Sequence, residues 1–368
     1  MPFAHKIAAI KTNVKHYLYT PHDLNKVKMT NFIKDNFKYK HILGQGSFGC
    51  VLHAEYMTDN TVSNYALKCI PKTLCTDVNR IIEEVTILKI LPHNFIIKLE
   101  GTFQTSNLLC IVTEALLYGD LYTLIYENID MPAIPYDLIL FYLSSLVIVL
   151  DHIHSKGIIY RDLKPENIML DAMGYIKLID MGLAKRIRYI NEFTQNNEVT
   201  CQIVDEKTYT LCGSAEYLSP EILLKNGHDK TSDIWALGVL LYELFTKKTP
   251  FQATNIRKLF KNILGVKTKK LTLTQNEKEV IANESVEKLL IELLDGTPSN
   301  RIGVKDRTSD ILNHELFKDS KDMIIGISNR TYIPCYIPTH LDDSQYDDLS
   351  NVPSLTRYIG DNSIFANF

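Results

Sequence analysis

The sequence predicts an α+β fold with two lobes: a small antiparallel β-sheet lobe with one main helix, and a larger, mostly helical lobe. Two observations predict this division. Up to residue 114 the apolar residues fall mostly in short β-type runs, and after Gly119 they follow the three-to-four-residue spacing of helices. We expect an N-terminal extension at 1–37, the small lobe at 38–114, the large lobe at 115–317 and a C-terminal tail at 318–368.

The elements follow this division in order. The predicted small-lobe strands are 39–43, 50–56, 64–70 and 108–114, and the predicted helix is 77–91. In the large lobe the predicted helices are 121–126, 138–154, 231–245 and 286–294, with short strands at 168–171 and 176–180. Residues 1–37 are polar and basic with helix-like stretches, and we interpret them as an appendage. Segment 187–206, rich in Asn, Glu and Thr, is interpreted as a mobile surface loop inserted into the large lobe.

Composition is that of an ordinary soluble globular protein. Hydrophobic residues make up 45% and charged residues 23% of the 368 residues, and the net charge of −3 gives no overall basic field for nucleic acid. The seven cysteines are scattered without a C-x-x-C pair, which favours reduced thiols in a cytoplasmic protein. The longest apolar run, 138–150, is too short to cross a bilayer and is expected to form a buried helix, so no membrane span is predicted.

A glycine-rich segment lies between the first two predicted strands and has the pattern G-x-G-x-x-G-x-V. Glycines allow backbone N–H groups to approach phosphate oxygens closely. Taken alone, the segment is equally compatible with an ordinary hairpin turn. Its residues are Gly44, Gln45, Gly46, Ser47, Phe48, Gly49, Cys50 and Val51.

A lysine on the third predicted strand strengthens the nucleotide interpretation. Lys68 is expected to point inward, where a buried ammonium group is costly unless it is paired. Glu84 on the following helix and the phosphates of a nucleotide could both pair with it. The alternative is a lysine at a strand edge and a solvated glutamate.

The residues 160–167 concentrate three reactive groups on one loop. Asp162 can accept the proton of an attacking hydroxyl, Lys164 can neutralise charge on a moving phosphoryl group, and Asn167 can bind a metal ion. Asp180 ends the next strand with a second carboxylate suited to Mg²⁺. Chance can produce some of these residues in a solvated loop, but the ordered set with the glycine segment and Lys68 predicts phosphoryl transfer.

Together these motifs resemble the eukaryotic protein kinases over residues 38–317. The resemblance implies a bilobal protein kinase fold, the cofactors ATP and Mg²⁺, catalytic roles for Asp162, Lys164, Lys68 and Asn167, and metal binding by Asn167 and Asp180. It also implies a structural ion pair between Glu221 and Arg301 and a capping role for Asp233 on the catalytic loop. The residues implied to bind ATP are Leu43, Gly44, Gln45, Gly46, Ser47, Phe48, Gly49, Val51, Ala66, Lys68, Glu84, Thr113, Glu114, Leu116, Met169 and Tyr346.

The substrate class is also implied by resemblance. Lys164-Pro165-Glu166 is similar to serine/threonine kinases, in which Ser214 is expected to contact Asp162 and Lys164. Four carboxylates stand where related kinases bind arginines before the target residue, so the expected partners are proteins with basic residues before Ser or Thr. Each carboxylate alone could simply be solvated. They are Asp120, Glu166, Glu216 and Glu243.

The subgroup resembles the AGC kinases, and within them the cyclic-nucleotide-dependent (cAMP or cGMP) kinases. That resemblance implies control by a separate cyclic-nucleotide-binding regulatory subunit. It also implies phosphosites at Thr210 and Thr356, filled by an upstream kinase or by autophosphorylation, with Arg161, Lys185 and Arg80 around the first phosphate. Exposed Phe365 and Phe368 would be unfavourable, so both are expected to dock on the small lobe.

Two other functions remain open from sequence alone. A pseudokinase scaffold would bind partners without catalysis, but it would need none of the retained charged residues. A small-molecule kinase would share the nucleotide site, but the segment 210–221 resembles a peptide-binding segment.

Overall fold

The computed structural model describes residues 12–17, 29–46, 49–59, 61–195, 198–351, 357–366 and 368. Ser47, Phe48 and Thr356, which the sequence analysis singles out, lie outside the described residues. The observed fold is the predicted α+β fold: a β-sheet lobe is followed by a helical lobe.

The small lobe is a five-stranded antiparallel sheet with the order β2-β3-β4-β6-β5. The N-terminal strand β1 belongs to another sheet. One main helix, α1, packs on the lobe, and the side chain of Asp77 caps its first turn by accepting from Asn79 N at 3.0 Å. The elements are β1 (Thr12–Tyr17), β2 (Phe37–Gly46), β3 (Gly49–Met57), β4 (Val62–Pro71), α1 (Val78–Ile90), β5 (Leu99–Gln104) and β6 (Leu108–Glu114).

The strand β5 was not predicted from sequence. Its residues Leu99–Gln104 include Gly101 and show no clean alternation, yet the strand pairs with β6 along its length. A Cβ at Gly101 would lie 2.7 Å from the ring of Phe32, so the glycine makes room for the N-terminal extension that crosses the strand. Tertiary packing therefore determines this strand more than local pattern does.

The large lobe contains the predicted helices together with several shorter ones. In chain order its elements are α2 (Leu121–Tyr126), α3 (Tyr136–Ser155), β7 (Ile158–Ile159), β8 (Ile168–Leu170), β9 (Ile176–Leu178), β10 (Lys185–Arg186), β11 (Arg188–Gln195), β12 (Glu198–Asp205), α4 (Pro220–Leu223), α5 (Thr231–Thr246), α6 (Ile256–Gly265), α7 (Gln275–Ile281) and α8 (Glu284–Leu293), and α9 (Lys321–Ser328) follows at the start of the tail. The helices α3 and α5 form the centre of its core.

The helix α3 is longer than the predicted apolar run. By length and composition alone its 20 residues could cross a membrane, but 83% of its apolar window is buried inside the lobe. A core helix passes the same test, and this one packs against α5, β7 and α9.

The inserted segment 187–206 differs from its prediction. Where a loop was expected, Arg188–Gln195 and Glu198–Asp205 pair as the antiparallel strands β11 and β12. The extension also contributes a strand, since β1 pairs with β11 from Thr12↔Thr194 to Tyr17↔Tyr189. Val199, Cys201 and Ile203 alternate with polar residues, which is the strand signal that the polar composition of the segment obscured.

The tail lies along both lobes, as expected, although it begins with α9. Leu341 N donates to Leu117 O, and Ile42 N of β2 donates to Asp347 O, both at 2.9 Å. The tail ends with Phe365 fully buried against the small lobe. Gln104 Nε2 donates to Phe365 O at 3.1 Å, and the Lys72 ammonium lies 4.7 Å from the centre of the Phe365 ring. Phe368 is partly buried against the same core, and Thr102 Oγ1 donates to its carbonyl oxygen at 3.2 Å, so docking is confirmed for both phenylalanines.

Candidate active site

One buried carboxylate holds the backbone of the loop that follows β7. Asp233, in the first turn of α5, accepts hydrogen bonds from the backbone N of Tyr160 at 2.9 Å and of Arg161 at 2.8 Å. It also contacts His154 Nε2 at 2.8 Å. Arg161 is held at a φ of 69°, a conformation that costs a non-glycine residue about 1–3 kcal/mol. The expected capping role of Asp233 is thus present in the structure.

Three of the four side chains predicted to be catalytic, those of Asp162, Lys164 and Asn167, meet at this loop. Asn167 Nδ2 donates to Asp162 Oδ2 at 2.7 Å and to Asp162 O at 2.8 Å. Lys164 Nζ lies 3.1 Å from Asp162 Oδ2 and also 3.1 Å from the Ser214 hydroxyl. Ser214 Oγ in turn donates to Asp162 Oδ1 at 3.5 Å. One carboxylate is therefore oriented by an amide, an ammonium and a hydroxyl, and the expected contact of Ser214 with both charged residues is present.

A second cluster joins the two lobes across the cleft. Lys68 Nζ lies 2.7 Å from Glu84 Oε1 and 3.0 Å from Asp180 Oδ1. Burial lowers the pKa of Lys68, but the charges of Glu84 and Asp180 outweigh it and raise that pKa to about 12. Burial tends to raise the pKa of Asp180, but Lys68 and the Gly182 N–H hold it below its ordinary value. The lysine is thus an ammonium and Asp180 a carboxylate at neutral pH.

The residues present suit a magnesium ion between these clusters. The amide nitrogen of Asn167 is used by Asp162, which leaves the amide oxygen of Asn167 as a potential ligand. Among the described residues no group of three or more His, Cys, Asp or Glu side chains could hold a metal ion alone. Mg²⁺ usually binds one or two carboxylates together with substrate phosphates and water, which is what Asp180 and Asn167 can offer.

The glycine segment leaves space for a ligand. Among the described residues, a Cβ at Gly44 or Gly46 would meet no atom within 4 Å, so none of those residues requires glycine there. Gly49 differs, because its φ of 146° is strained for other residues and a Cβ would clash with the carbonyl oxygen of Cys69. The space beside Gly44 and Gly46 therefore agrees with the predicted close approach of phosphate groups.

The remaining residues predicted to bind ATP lie on β2, β3, β4 and β8, at and just after the end of β6, and in the tail. Val51 pairs with Lys68 between β3 and β4, and Ala66 pairs with Thr113 between β4 and β6. Leu43 and Gln45 lie on β2, Glu114 ends β6, Leu116 is buried just after it, and Met169 lies on β8. The Tyr346 ring from the tail stacks on His41 of β2, with ring centres 4.2 Å apart.

A cavity of about 310 Å³ lies beside the catalytic loop and is lined by most of the predicted substrate-binding residues. The carboxyl group of Glu243 is buried there, and the hydroxyls of Tyr126 and Tyr217 donate to its two oxygens. Burial raises the pKa of Glu243 above its ordinary value. Asp120 is not among the lining residues, and its Oδ1 caps α2 at Thr123 N. The lining includes Glu166, Ser214, Glu216 and Glu243.

Sequence reasoning missed the other groups that line this cavity. Tyr126 and Tyr217 position Glu243, and Lys247 and Lys248 introduce positive charge. The tyrosines gave no sequence signal, because their role depends on how α2 and the short turn Ala215–Tyr217 pack against α5. The two adjacent lysines at the end of an apolar helix could have been noticed in the sequence as a candidate site of positive charge.

The predicted phosphosite Thr210 is exposed. Two of the basic groups expected around its phosphate instead contact Thr208, a buried residue: Lys185 Nζ lies 3.0 Å and Arg161 Nη1 3.4 Å from its hydroxyl. The third, Arg80, donates to Gly182 O at 3.0 Å. The segment is therefore tied to the catalytic loop two residues before Thr210.

Sequence comparisons agree with this geometry. The family model described as Protein kinase domain matches residues 37–317. A putative ribosomal protein S6 kinase alpha-1 from Caenorhabditis elegans is 33% identical over 320 residues, which cover 85% of this chain and 37% of the relative. Human ribosomal protein S6 kinase alpha-3 is 33% identical over 306 residues, covering 80% of this chain and 38% of the relative. Ribosomal protein S6 kinase alpha-6 from Danio rerio is 35% identical over 285 residues, covering 76% and 35%.

The chain spans less than half the length of these curated relatives. Their names do not support the expected closer resemblance to cyclic-nucleotide-dependent kinases. The matched family covers both lobes and every charged residue of the two clusters. The chain therefore belongs to the protein kinase family.

Proposed function

We propose that this chain transfers the γ-phosphoryl group of ATP to serine or threonine side chains of proteins that carry basic residues before the target. The observation that carries the proposal is the meeting of Asp162, Lys164 and Ser214 within hydrogen-bonding distance of one another, beside an acidic cavity. A serine or threonine hydroxyl that reached Asp162 would meet a carboxylate already fixed in orientation.

The protein's own groups would act mainly by positioning and charge. Asp162 orients the substrate hydroxyl and accepts its proton, while Asn167 holds the aspartate in place. Lys164 neutralises negative charge next to the reacting atoms, and Lys68, held by Glu84, binds phosphate oxygens. When bound, ATP supplies the phosphoryl group and Mg²⁺, held by Asp180 and Asn167, neutralises its phosphates.

The preference for basic substrates rests on the charge of the cavity. Glu166, Glu216 and Glu243 converge on it, and none of the three forms an ion pair with a lysine or arginine within the described part of the chain. A guanidinium group can donate to two carboxylates at once, so arginine suits this arrangement better than lysine.

Regulation by phosphorylation at Thr210 is the second part of the proposal. A phosphate there would add negative charge close to Arg161 and Lys185, which now contact Thr208. The proposal does not extend to cyclic nucleotides or to a separate regulatory subunit, because the S6 kinase relatives give neither any support. Intact-mass analysis of active enzyme tests the Thr210 part, and full activity without phosphate there would reject it.

Peptide phosphorylation tests the activity and the substrate class separately. We expect a serine peptide with upstream arginines to be phosphorylated and its tyrosine counterpart not to be. Replacing the arginines by alanine should lower kcat/KM by about 10- to 100-fold, as for the loss of one or two charge-assisted contacts. Equal rates with alanine would reject the substrate class. No transfer to any Ser or Thr peptide would reject the activity.

A further inference from the structure

The cavity that holds the three glutamates also contains two positive charges that the proposed function does not use. Lys247 and Lys248 follow the end of α5 and line the cavity together with Glu166, Glu216 and Glu243. We propose that these lysines are specificity-determining residues that select an anionic side chain next to the arginine of the substrate. This inference rests on the proposed function and specifies the substrate of the same site.

The opposite charges in the cavity do not neutralise one another. Among the described residues, neither lysine lies within 4 Å of a carboxylate oxygen. Thr249 donates to Glu216 Oε2 at 3.1 Å, and the hydroxyls of Tyr126 and Tyr217 donate to Glu243. Because neutral hydroxyl donors do not cancel the charge of a carboxylate, both kinds of charge remain in the cavity.

The two lysines that line the cavity differ in exposure. Lys247 is half-buried and its Nζ donates to Met131 O at 3.3 Å, so the ammonium is anchored but retains donors. Lys248 is exposed. A substrate residue beside an arginine in this cavity would therefore meet ammonium groups as well as carboxylates.

Charge complementarity then identifies the ligand. A peptide with arginine alone would be attracted by the glutamates and repelled by the lysines. A peptide with arginine beside glutamate, aspartate or a phosphorylated residue would match both. The shared chemistry is an anionic side chain, and carboxylate and phosphate are two sources that peptides can distinguish.

A purely structural role is the competing explanation, since cations near a helix C-terminus stabilise the helix. The backbone allows the two roles to be separated. Lys247 has a φ of 53°, a left-handed conformation that glycine adopts more easily, so Lys247→Gly removes the charge without a conformational penalty. Lys225 has almost the same φ, 54°, is exposed and does not line the cavity, so Lys225→Gly is a matched control.

The experiment measures kcat/KM for serine peptides that share the upstream arginine and differ only in the residue beside it: glutamate, phosphoserine, glutamine or lysine. For the unmodified chain we expect glutamate to exceed glutamine by about five- to tenfold, phosphoserine to do at least as well as glutamate, and lysine to be the worst. In Lys247→Gly, and separately in Lys248→Gln, the glutamate preference should shrink and kcat/KM for the glutamine peptide should rise a few-fold. Lys225→Gly should keep the full preference.

Three results would overturn the inference: a glutamate-to-glutamine ratio near one in the unmodified chain, the same ratio in both lysine variants, or an equal loss in Lys225→Gly. A lower melting temperature with unchanged peptide preference in Lys247→Gly would indicate the structural role instead. The glutamate peptide with its arginine replaced by alanine is measured alongside. An equal kcat/KM for that peptide would instead reject the proposed substrate class, so the two failures are distinguishable. A preference for phosphoserine but not glutamate would limit the ligand to phosphate and overturn the carboxylate part.

Discussion

The ammonium nitrogen of Lys68 lies 2.7 Å from Oε1 of Glu84, and this ion pair ties β4 of the sheet to α1. The carboxyl group of Glu84 is almost completely buried, while Lys68 reaches on to Asp180 in the large lobe. The pair therefore fixes the position from which the lysine can meet a phosphate. Movement of α1 away from the sheet would release the lysine.

Glu84→Gln tests this positioning. The substitution keeps the size of the side chain and an oxygen acceptor but removes its charge, so Asp180 becomes the only carboxylate of the cluster that holds Lys68. We expect KM for ATP to rise about tenfold, equivalent to about 1.4 kcal/mol. Glu55→Gln on β3, where Lys38 and Lys40 provide partly exposed ion pairs, is the control and should leave KM within about twofold. An unchanged KM in Glu84→Gln would show that the pair does not position Lys68.

The ion pair of Glu221 with Arg301 should contribute to stability and not to catalysis. Both side chains are buried, with contacts of 2.7 and 2.8 Å. Removing one partner leaves a buried charge, so Glu221→Gln should cost about 3–5 kcal/mol in the free energy of unfolding. Urea denaturation measures this.

The control for that pair is the exposed side chain of Lys288, whose Nζ lies 3.3 Å from Glu284 Oε1 and 3.0 Å from Glu315 Oε1, both of which are exposed as well. Lys288→Gln should cost less than about 1 kcal/mol. If Glu221→Gln cost no more than Lys288→Gln, the buried pair would not be a stabilising element.

The buried end of the tail gives a prediction with a neighbouring control. Phe365 is fully buried, whereas Ile364 is 52% exposed. Phe365→Ala should lower the free energy of unfolding by up to about 3–5 kcal/mol. The loss is limited by the free energy with which the tail docks on the small lobe. Ile364→Ala should have little effect. Thermal melting of both variants measures the difference. Equal melting temperatures for Phe365→Ala and the unmodified chain would contradict docking.

Acid should destabilise the protein in part through His93. Burial, His152 and Lys177 lower the pKa of His93 from 6.5 to about 4, and Nδ1 of its ring accepts from Phe95 N at 3.1 Å. The unfolded chain therefore binds a proton at a higher pH than the folded chain. Stability from this group is complete above pH 6.5 and is lost as the pH falls toward 4. The loss amounts to about 2 kcal/mol between pH 7 and pH 5.

His93→Asn keeps an acceptor for Phe95 N but does not titrate, so it should reduce the pH dependence of the free energy of unfolding by about that amount. Burial also lowers the pKa of His228 to about 4. Because His228 is present in both proteins, it contributes equally to the pH dependence of each. Denaturation curves at the two pH values measure the difference. An identical pH dependence in both proteins would refute the role of His93.

The sequence predicted the catalytic clusters well because their residues lie on elements with strong local patterns. Lys68, Glu84, Asp162 and Asn167 lie on or beside a strand, a capped helix and a loop that is held by Asp233. Spacing along the chain was sufficient to identify them. The distances between these side chains and their protonation states depend on tertiary packing, which the spacing of residues along the chain does not reveal.

The missed features depend on contacts between distant parts of the chain. The hairpin β11–β12 is paired by β1, nearly two hundred residues earlier, and β5 depends on β6 and on Phe32. The lysines at 247 and 248 acquire a role only because α5 ends beside the catalytic loop. Local pattern cannot predict such relationships.

The central claim is that Asp162 promotes phosphoryl transfer to a protein hydroxyl. Asp162→Asn preserves the shape of the side chain but removes its ability to accept the proton. Single-turnover transfer from ATP to an arginine-containing serine peptide should slow by about 10²–10⁴-fold, while ATP affinity stays within about twofold of the unmodified chain. Asp130→Asn, on an exposed turn, should leave both unchanged. Transfer at the unmodified rate by Asp162→Asn would contradict the account.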